Sequence, residues 1–118
     1  MKVAMIKVKR IYDSLTAEPG DGRRVLVDRL WPRGLRKDDV FVDEWMKELA
    51  PSTALRKWFS HDPAKWEEFK KRYRQELNEK TELFEHVKTE ARYGNITILY
   101  SAKDREHNNA VALKEFLS

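Results

Sequence analysis

The sequence predicts an α/β domain built on a three- or four-stranded, mostly parallel sheet with helices packed against it. Three observations carry that expectation. The run Ile96 to Tyr100 (ITILY) is apolar, rich in β-branched residues and launched from Gly94-Asn95, as a buried strand is. A second run, Val25-Leu26-Val27, has no polar alternation and suits burial on both faces, the habit of parallel strands. Between the two lie segments of helical periodicity, and strands joined through helices pair in parallel.

The chain has 118 residues, which suits one domain spanning residues 1–118 with a single core. Apolar residues make up 41% and aromatic residues 11%, usage that excludes a disordered chain. Charged residues reach 37% but are interspersed, leaving a net charge of +4. That balance permits an anionic partner without requiring one. There is no cysteine, which excludes disulfides, thiolate nucleophiles and Cys-ligated zinc. The N-terminal stretch MKVAMIKVKRIY lacks the apolar core of a signal peptide, and no stretch approaches the ~18 apolar residues of a membrane helix. A cytoplasmic protein without membrane contact is therefore expected.

In chain order, residues 3–9 alternate apolar residues with lysines and read as a strand. Asp13 to Gly22 (DSLTAEPGDG) collects turn residues and reads as a mobile loop. Residues 24–28 form the short Val-Leu-Val strand. Asp43 is expected to cap a short helix bearing Trp45, Met46 and Leu49, ended by Ala50-Pro51. Ser52 suits the cap of the next, which carries Leu55, Trp58 and Phe59. Asp62-Pro63 then opens a long helical pattern. Its stripe of Trp66, Phe69, Tyr73 and Leu77 lapses at Asn78-Glu79-Lys80 and resumes at Leu83, Phe84, Val87 and Ala91. Unbroken, residues 63–92 would run roughly 45 Å, too long for so small a domain, so a break is expected near Asn78. A last helix carries Ala110, Val111, Leu113, Phe116 and Leu117.

In open parallel sheets, ligands bind beyond the carboxyl ends of the strands. Two loops qualify, Asp28 to Gly34 (DRLWPRG) and Ser101 to Asp104 (SAKD), the latter leading to His107-Asn108. Side by side they would gather Arg29, Arg33, Lys103 and Asn108 as ligand-binding groups. Guanidinium forks and a helix N-terminus suit phosphate or carboxylate. Asp28 would orient these groups or hold the loop, and Trp31 reads more readily as core than as a stacking face. His107, with Asp104, is a candidate for proton transfer. His61 beside Asp62 is either a second one or, with Asp62, part of a helix cap. No GxxxxGK[ST] or GxGxxG phosphate loop occurs, no GxSxG elbow supports Ser101, and three scattered histidines give no metal spacing. Neither a metal nor a cofactor is called for.

Four stretches carry a resemblance: VDRLWPRG at 27–34, LRKWFSHDP at 55–63, WEEFKKRYRQEL at 66–77 and LYSAKDREHNNA at 99–110. Together, and in this order, they resemble the YeaO-like family of uncharacterised bacterial and archaeal proteins, over nearly the whole chain from Lys7 to Leu117. The resemblance implies a single small α/β domain. It implies no reaction, cofactor or substrate. The recurrent polar residues it points to are Asp28, Arg29, Arg33, His61, Asp62, Lys103, Asp104, His107 and Asn108. Three functions stay open: an anion- or phosphate-binding domain, with or without catalysis on a nucleotide-like small molecule; a basic nucleic-acid-binding module; and a structural or protein-interaction domain. Oligomeric state is not legible.

Overall fold

Ile98, at the middle of ITILY, is flanked by Val8 on one side and Val25 on the other, so the strand the sequence marks most clearly is central. The computed structural model of the protein describes residues 4–118. In it, β1 (Ile6–Arg10), β2 (Arg23–Leu26), β3 (Glu44–Trp45) and β4 (Ile96–Tyr100) form one sheet in the order β1-β4-β2-β3, with every pair parallel. The expected start of the first strand at Val3 lies outside the described residues; among the described ones the strand begins at Ile6 rather than at residue 4 and runs one residue further, to Arg10.

Strand parity divides the core. Val25, Val27, Ile96, Ile98 and Tyr100 point to one face, where they meet all four helices. These are α1 (Thr53–Phe59), α2 (Trp66–Asn78), α3 (Thr81–Tyr93) and α4 (Asn109–Leu117). Phe69, Tyr73 and Leu77 of α2 and Phe84 and Val87 of α3 are the buried stripe that the spacing predicted. The break between them falls at Asn78, as expected. Ser52 caps α1 by accepting from the Leu55 N–H at 3.1 Å, and its hydroxyl also donates to Glu76 at 2.5 Å. Asp62 accepts from Ala64 N–H at 3.0 Å, starting a single 3₁₀ turn at Pro63–Lys65 that runs into α2.

The other face has no α-helix among the described residues. Leu26 and Leu99 are covered there by Ile11 and Val40, with Trp31, Leu35 and Trp45 packed around them. Trp31 and Trp45 meet edge to face at 5.4 Å, and the Trp31 indole N–H donates to Leu35 O at 2.6 Å.

Two expectations are corrected. Glu44–Trp45 is a strand rather than part of an Asp43-capped helix. Asp43 spends its side chain and backbone on β2, accepting from Arg24 N–H at 2.8 Å and donating its own N–H to Arg24 O at 2.9 Å. Only the 3₁₀ turn Lys47–Leu49 fits before Pro51. Nor is the segment 13–22 a loose loop. Ser14 and Asp21 are buried in it, fastened by Arg24, which reaches in from β2 and is fully buried. The Arg24 guanidinium donates to Asp21 (2.7 Å), Ser14 Oγ (3.0 Å) and O (2.5 Å), Thr16 O (3.1 Å) and Phe41 O (2.9 Å). Gly22 (φ +64°) then lies so close to the strand entry that a Cβ there would sit 2.0 Å from Asn95 O.

Candidate functional site

Because β2 and β4 are adjacent and parallel, the loops that follow them emerge side by side. Between them, beyond the carboxyl ends of the strands, opens a cavity of about 890 Å³. From the β2 loop it takes Asp28, Arg29 and Arg33, from the β4 loop Ser101, Lys103 and Asp104, and from the end of β1 Arg10 and Tyr12. Arg56 of α1 and His61 close it from the helical side, and Asn109 forms part of the wall at the start of α4.

The cations in this cavity fall into two groups. Arg10 and Arg29 are committed to backbone. Arg10 Nε donates to Ala102 O at 2.9 Å, tying β1 to the β4 loop. Arg29 donates to Pro51 O at 3.1 Å and Ala50 O at 3.0 Å, holding the β2 loop against the entry to α1. Arg33, Arg56 and Lys103 are exposed, and their charged ends make no hydrogen bond or ion pair among the described residues. The chain reaches Arg33 through Pro32 and leaves through Gly34, whose φ of +84° is a left-handed conformation that favours glycine. Ser60 and His61 also adopt left-handed backbone, at φ +44° and +56°. Such conformations cost of order 1–3 kcal/mol each in non-glycine residues, and a left-handed residue is a common way to end a helix. Here they end α1 and leave the exposed His61 ring at the cavity edge.

Asp28 is the acidic floor. Its Oδ1 accepts from Asn109 Nδ2 at 3.3 Å, while Oδ2 is enclosed with no partner in hydrogen-bonding geometry. Burial pushes the carboxyl above its usual range, against the opposing pull of Ser101, Asn109 and the Arg56 charge. Asn109 itself donates to Val27 O at 2.6 Å, across 82 residues of sequence.

Asp104 and His107 form a pair, with His107 Nδ1 3.0 Å from Asp104 Oδ2. Asp104 Oδ1 accepts from the backbone N–H groups of Glu106 and His107, both at 2.9 Å. The Glu106 N–H above all, with those of His107 and its ring, holds the Asp104 carboxyl below the usual range despite its partial burial. The His107 ring borders a neighbouring hollow rather than the cationic cavity, and meets Trp66 edge to face at 5.3 Å. Asn108 is buried and spent on structure. Its Oδ1 caps α4 by accepting from Val111 N–H at 3.0 Å, and its Nδ2 donates to Asp104 O at 3.0 Å.

Of the nine residues that the sequence marks, the structure brings Asp28, Arg29, Arg33, His61, Lys103 and Asp104 to the main cavity. His107 and Asn108 border the neighbouring hollow, which His61 also touches, and Asp62 lines neither. Sequence reasoning missed Arg10, Arg56 and Asn109. An arginine on a seven-residue helix reads as solvated, and an asparagine beside Asn108 reads as part of the same cap. Their role appears only when distant elements meet.

A second group, Glu44, His86 and Glu90, has ligand atoms within 4.8 Å of one another. Arg23 already faces both carboxylates there, at 2.6 and 3.1 Å, and His86 lies 3.1 Å from Glu90, so each carboxylate has a partner within the protein.

Fold and cleft together define a parallel α/β domain with a cationic cavity beyond the carboxyl ends of its central strands. The chain belongs to the YeaO-like family: a family described as the inactive DUF488-N3 subclade matches residues 5–118. It is 43% identical over 112 residues to the uncharacterized protein YeaO of Escherichia coli strain K12, covering 95% of this chain and 96% of that one. It is 39% identical over 113 residues to the uncharacterized proteins Rv3073c of Mycobacterium tuberculosis and Mb3100c of Mycobacterium bovis, covering 96% of this chain and 93% of each. No solved structure matches the chain. No helix among the described residues is long and apolar enough to cross a membrane.

Proposed function

We propose that this protein is a binding domain for a phosphate-bearing small molecule, held in the strand-end cavity without covalent chemistry. The observation that carries the reading is the trio Arg33, Arg56 and Lys103, three exposed cations that line one cavity and whose charged ends make no hydrogen bond or ion pair among the described residues. Arg10 and Arg29 add positive charge from behind while anchoring the loops. Against these five cations the cavity sets only Asp28 and Asp104, and burial favours the neutral form of Asp28. The start of α4 at the cavity wall adds a helix dipole of the right sign.

Binding is favoured over catalysis for two reasons. The family is described as an inactive subclade. Among the described residues no hydrogen bond joins a histidine to a hydroxyl, and the serine–carboxylate bonds of Ser52 to Glu76 and of Ser14 to Glu18 lie outside the cavity. The nucleic-acid reading loses ground because the basic residues of α2 are interrupted by acids: Arg72 pairs with Glu68, and Lys70 with Glu67 and Glu115.

Titration calorimetry with inorganic phosphate at two salt concentrations tests the reading. The wild type is expected to bind, and Arg33→Ala or Lys103→Ala to weaken binding about tenfold or more, the worth of one charge-assisted contact. Absence of phosphate binding to the wild type, or binding that both variants retain, refutes it.

A further inference from the structure

The cationic cavity adjoins a hollow of about 510 Å³, and Leu30, Arg56, His61, Ala102 and Asn109 are among the residues that border both. The second hollow has a different chemistry. Phe59 and Phe69, stacked at 4.3 Å, stand behind it, with Pro51 and Leu30 at its sides. No carboxylate lines it, and the apolar wall is interrupted by the hydroxyls of Thr53 and Ser60, the rings of His61 and His107 and, at the α1 side, the cations Arg56 and Lys57. Such a wall suits a flat heterocycle with polar edges better than an aliphatic chain. A drug-sized ligand typically occupies ~300–1,000 Å³ of mostly apolar pocket with a few placed polar groups, and this hollow falls within that range.

Asn109 stands where the two hollows meet. Its Nδ2 is engaged by Val27 O at 2.6 Å and Asp28 Oδ1 at 3.3 Å, which fixes the orientation of the amide. Its Oδ1 is thereby turned into the remaining acceptor, with no donor among the described residues. A ligand that spans the junction therefore needs an anion at one end, an apolar-faced ring at the other and a hydrogen-bond donor between them.

We propose that the two hollows are one bipartite site for a nucleoside monophosphate. Its phosphate lies among Arg33, Arg56 and Lys103, a sugar hydroxyl donates to Asn109 Oδ1, and its base rests against Leu30, Phe59 and Phe69. The proposal rests on the anion-binding reading above and adds the identity of what the anion is attached to.

The test compares four probes by calorimetry: inorganic phosphate, ribose 5-phosphate, a panel of nucleoside 5′-monophosphates and the corresponding nucleosides. At least one nucleoside monophosphate is expected to bind tenfold or more tighter than inorganic phosphate, with ribose 5-phosphate in between. Thr53→Trp, at an exposed position on the rim, fills the second hollow and should remove that advantage while leaving phosphate affinity unchanged. Leu30→Ala, at a side chain that is 65% exposed and outside the core, should reduce the advantage severalfold. Circular dichroism confirms that both variants fold. If phosphate binds but no nucleotide binds more tightly, or if Thr53→Trp leaves the advantage intact, the bipartite site is refuted and the anion reading stands. If inorganic phosphate does not bind, the anion reading falls, and if no nucleotide binds either, the bipartite site falls with it. Binding only of oligonucleotides, lost steeply in salt, would replace both with the nucleic-acid reading.

Discussion

Asp21→Asn removes one negative charge from a place where nothing else can supply it. Arg24 is fully buried, and four of its five hydrogen-bond acceptors are neutral oxygens of Ser14, Thr16 and Phe41. Only Asp21, at 2.7 Å, carries a counter-charge, and Asp21 also holds Lys9 at 2.6 Å and the backbone N–H of Glu18 at 3.1 Å. Removing one partner of a buried ion pair typically costs about 3–5 kcal/mol. Unfolding entropy is about 2.1 cal/mol/K per residue, which over 118 residues gives about 0.25 kcal/mol per degree. Asp21→Asn should therefore lower Tm by about 12–20 °C at pH 7, measured by calorimetry or circular dichroism. The pH dependence has a definite sign. Burial by itself would raise the Asp21 carboxyl, but hydrogen bonds from Lys9, Arg24 and Glu18 hold it well below the usual carboxylate range. A group with a lowered folded-state pKa stabilises fully above its unfolded value, near 3.9, and loses that contribution as pH falls towards the folded value. The gap between wild type and Asp21→Asn should thus narrow by about 1.4 kcal/mol per pH unit below about pH 4. A Tm change under about 4 °C, or a gap constant from pH 7 to pH 3, would refute the assignment of Asp21 as the anchor.

Three further substitutions separate structural residues from binding residues. Arg29→Ala loses two charge-assisted bonds to Ala50 and Pro51 carbonyls and should cost about 1.5–3 kcal/mol in urea unfolding, whereas Arg33→Ala should stay within about 0.5 kcal/mol of wild type. Asn108→Ala removes the cap of α4 and should cost about 1–2 kcal/mol, largely restored by Asn108→Asp in the same assay. Gly22→Ala meets both a left-handed φ and the Asn95 carbonyl; a loss of Tm comparable to that of Asp21→Asn is expected, and a near-neutral result would show that the segment can move away.

The legible parts of this protein are those whose information is local. ITILY and Val-Leu-Val are read correctly because a buried parallel strand needs no help from elsewhere to look apolar, and the α2–α3 break because Asn78-Glu79-Lys80 interrupts a stripe. Glu44–Trp45 is misread because apolar residues at 45, 46 and 49 after an aspartate imitate a helix start. What decides the matter is the Arg24 backbone that Asp43 meets in space. The burial of Asp21 is invisible for the same reason: DSLTAEPGDG has the composition of a loose loop, and the residue that fastens it lies in a strand. In the cleft, the strand-end rule finds the two loops but not the division of labour within them. Arg29 and Arg33 are four residues apart in one motif, yet one is spent on carbonyls and the other faces open space.

The position of β4 has a consequence for how the sheet is assembled. Its strand is the last of the four in the chain, yet it lies between β1 and β2, and the bond from Met5 N–H to the Asn95 side chain closes a separation of 90 residues. Until residues 96–100 arrive, β1 has no neighbour, and β2 has only the two-residue β3 beside it. Contacts this distant are entropically costly to bring together before they return any stability, which slows folding. The helices between must therefore wait on a strand that follows them, and α1, α2 and α3 have no complete sheet to pack on before it is in place. Ile96 to Tyr100 is in this sense a keystone inserted late, and lesions in that strand should delay folding more than equal losses of stability elsewhere.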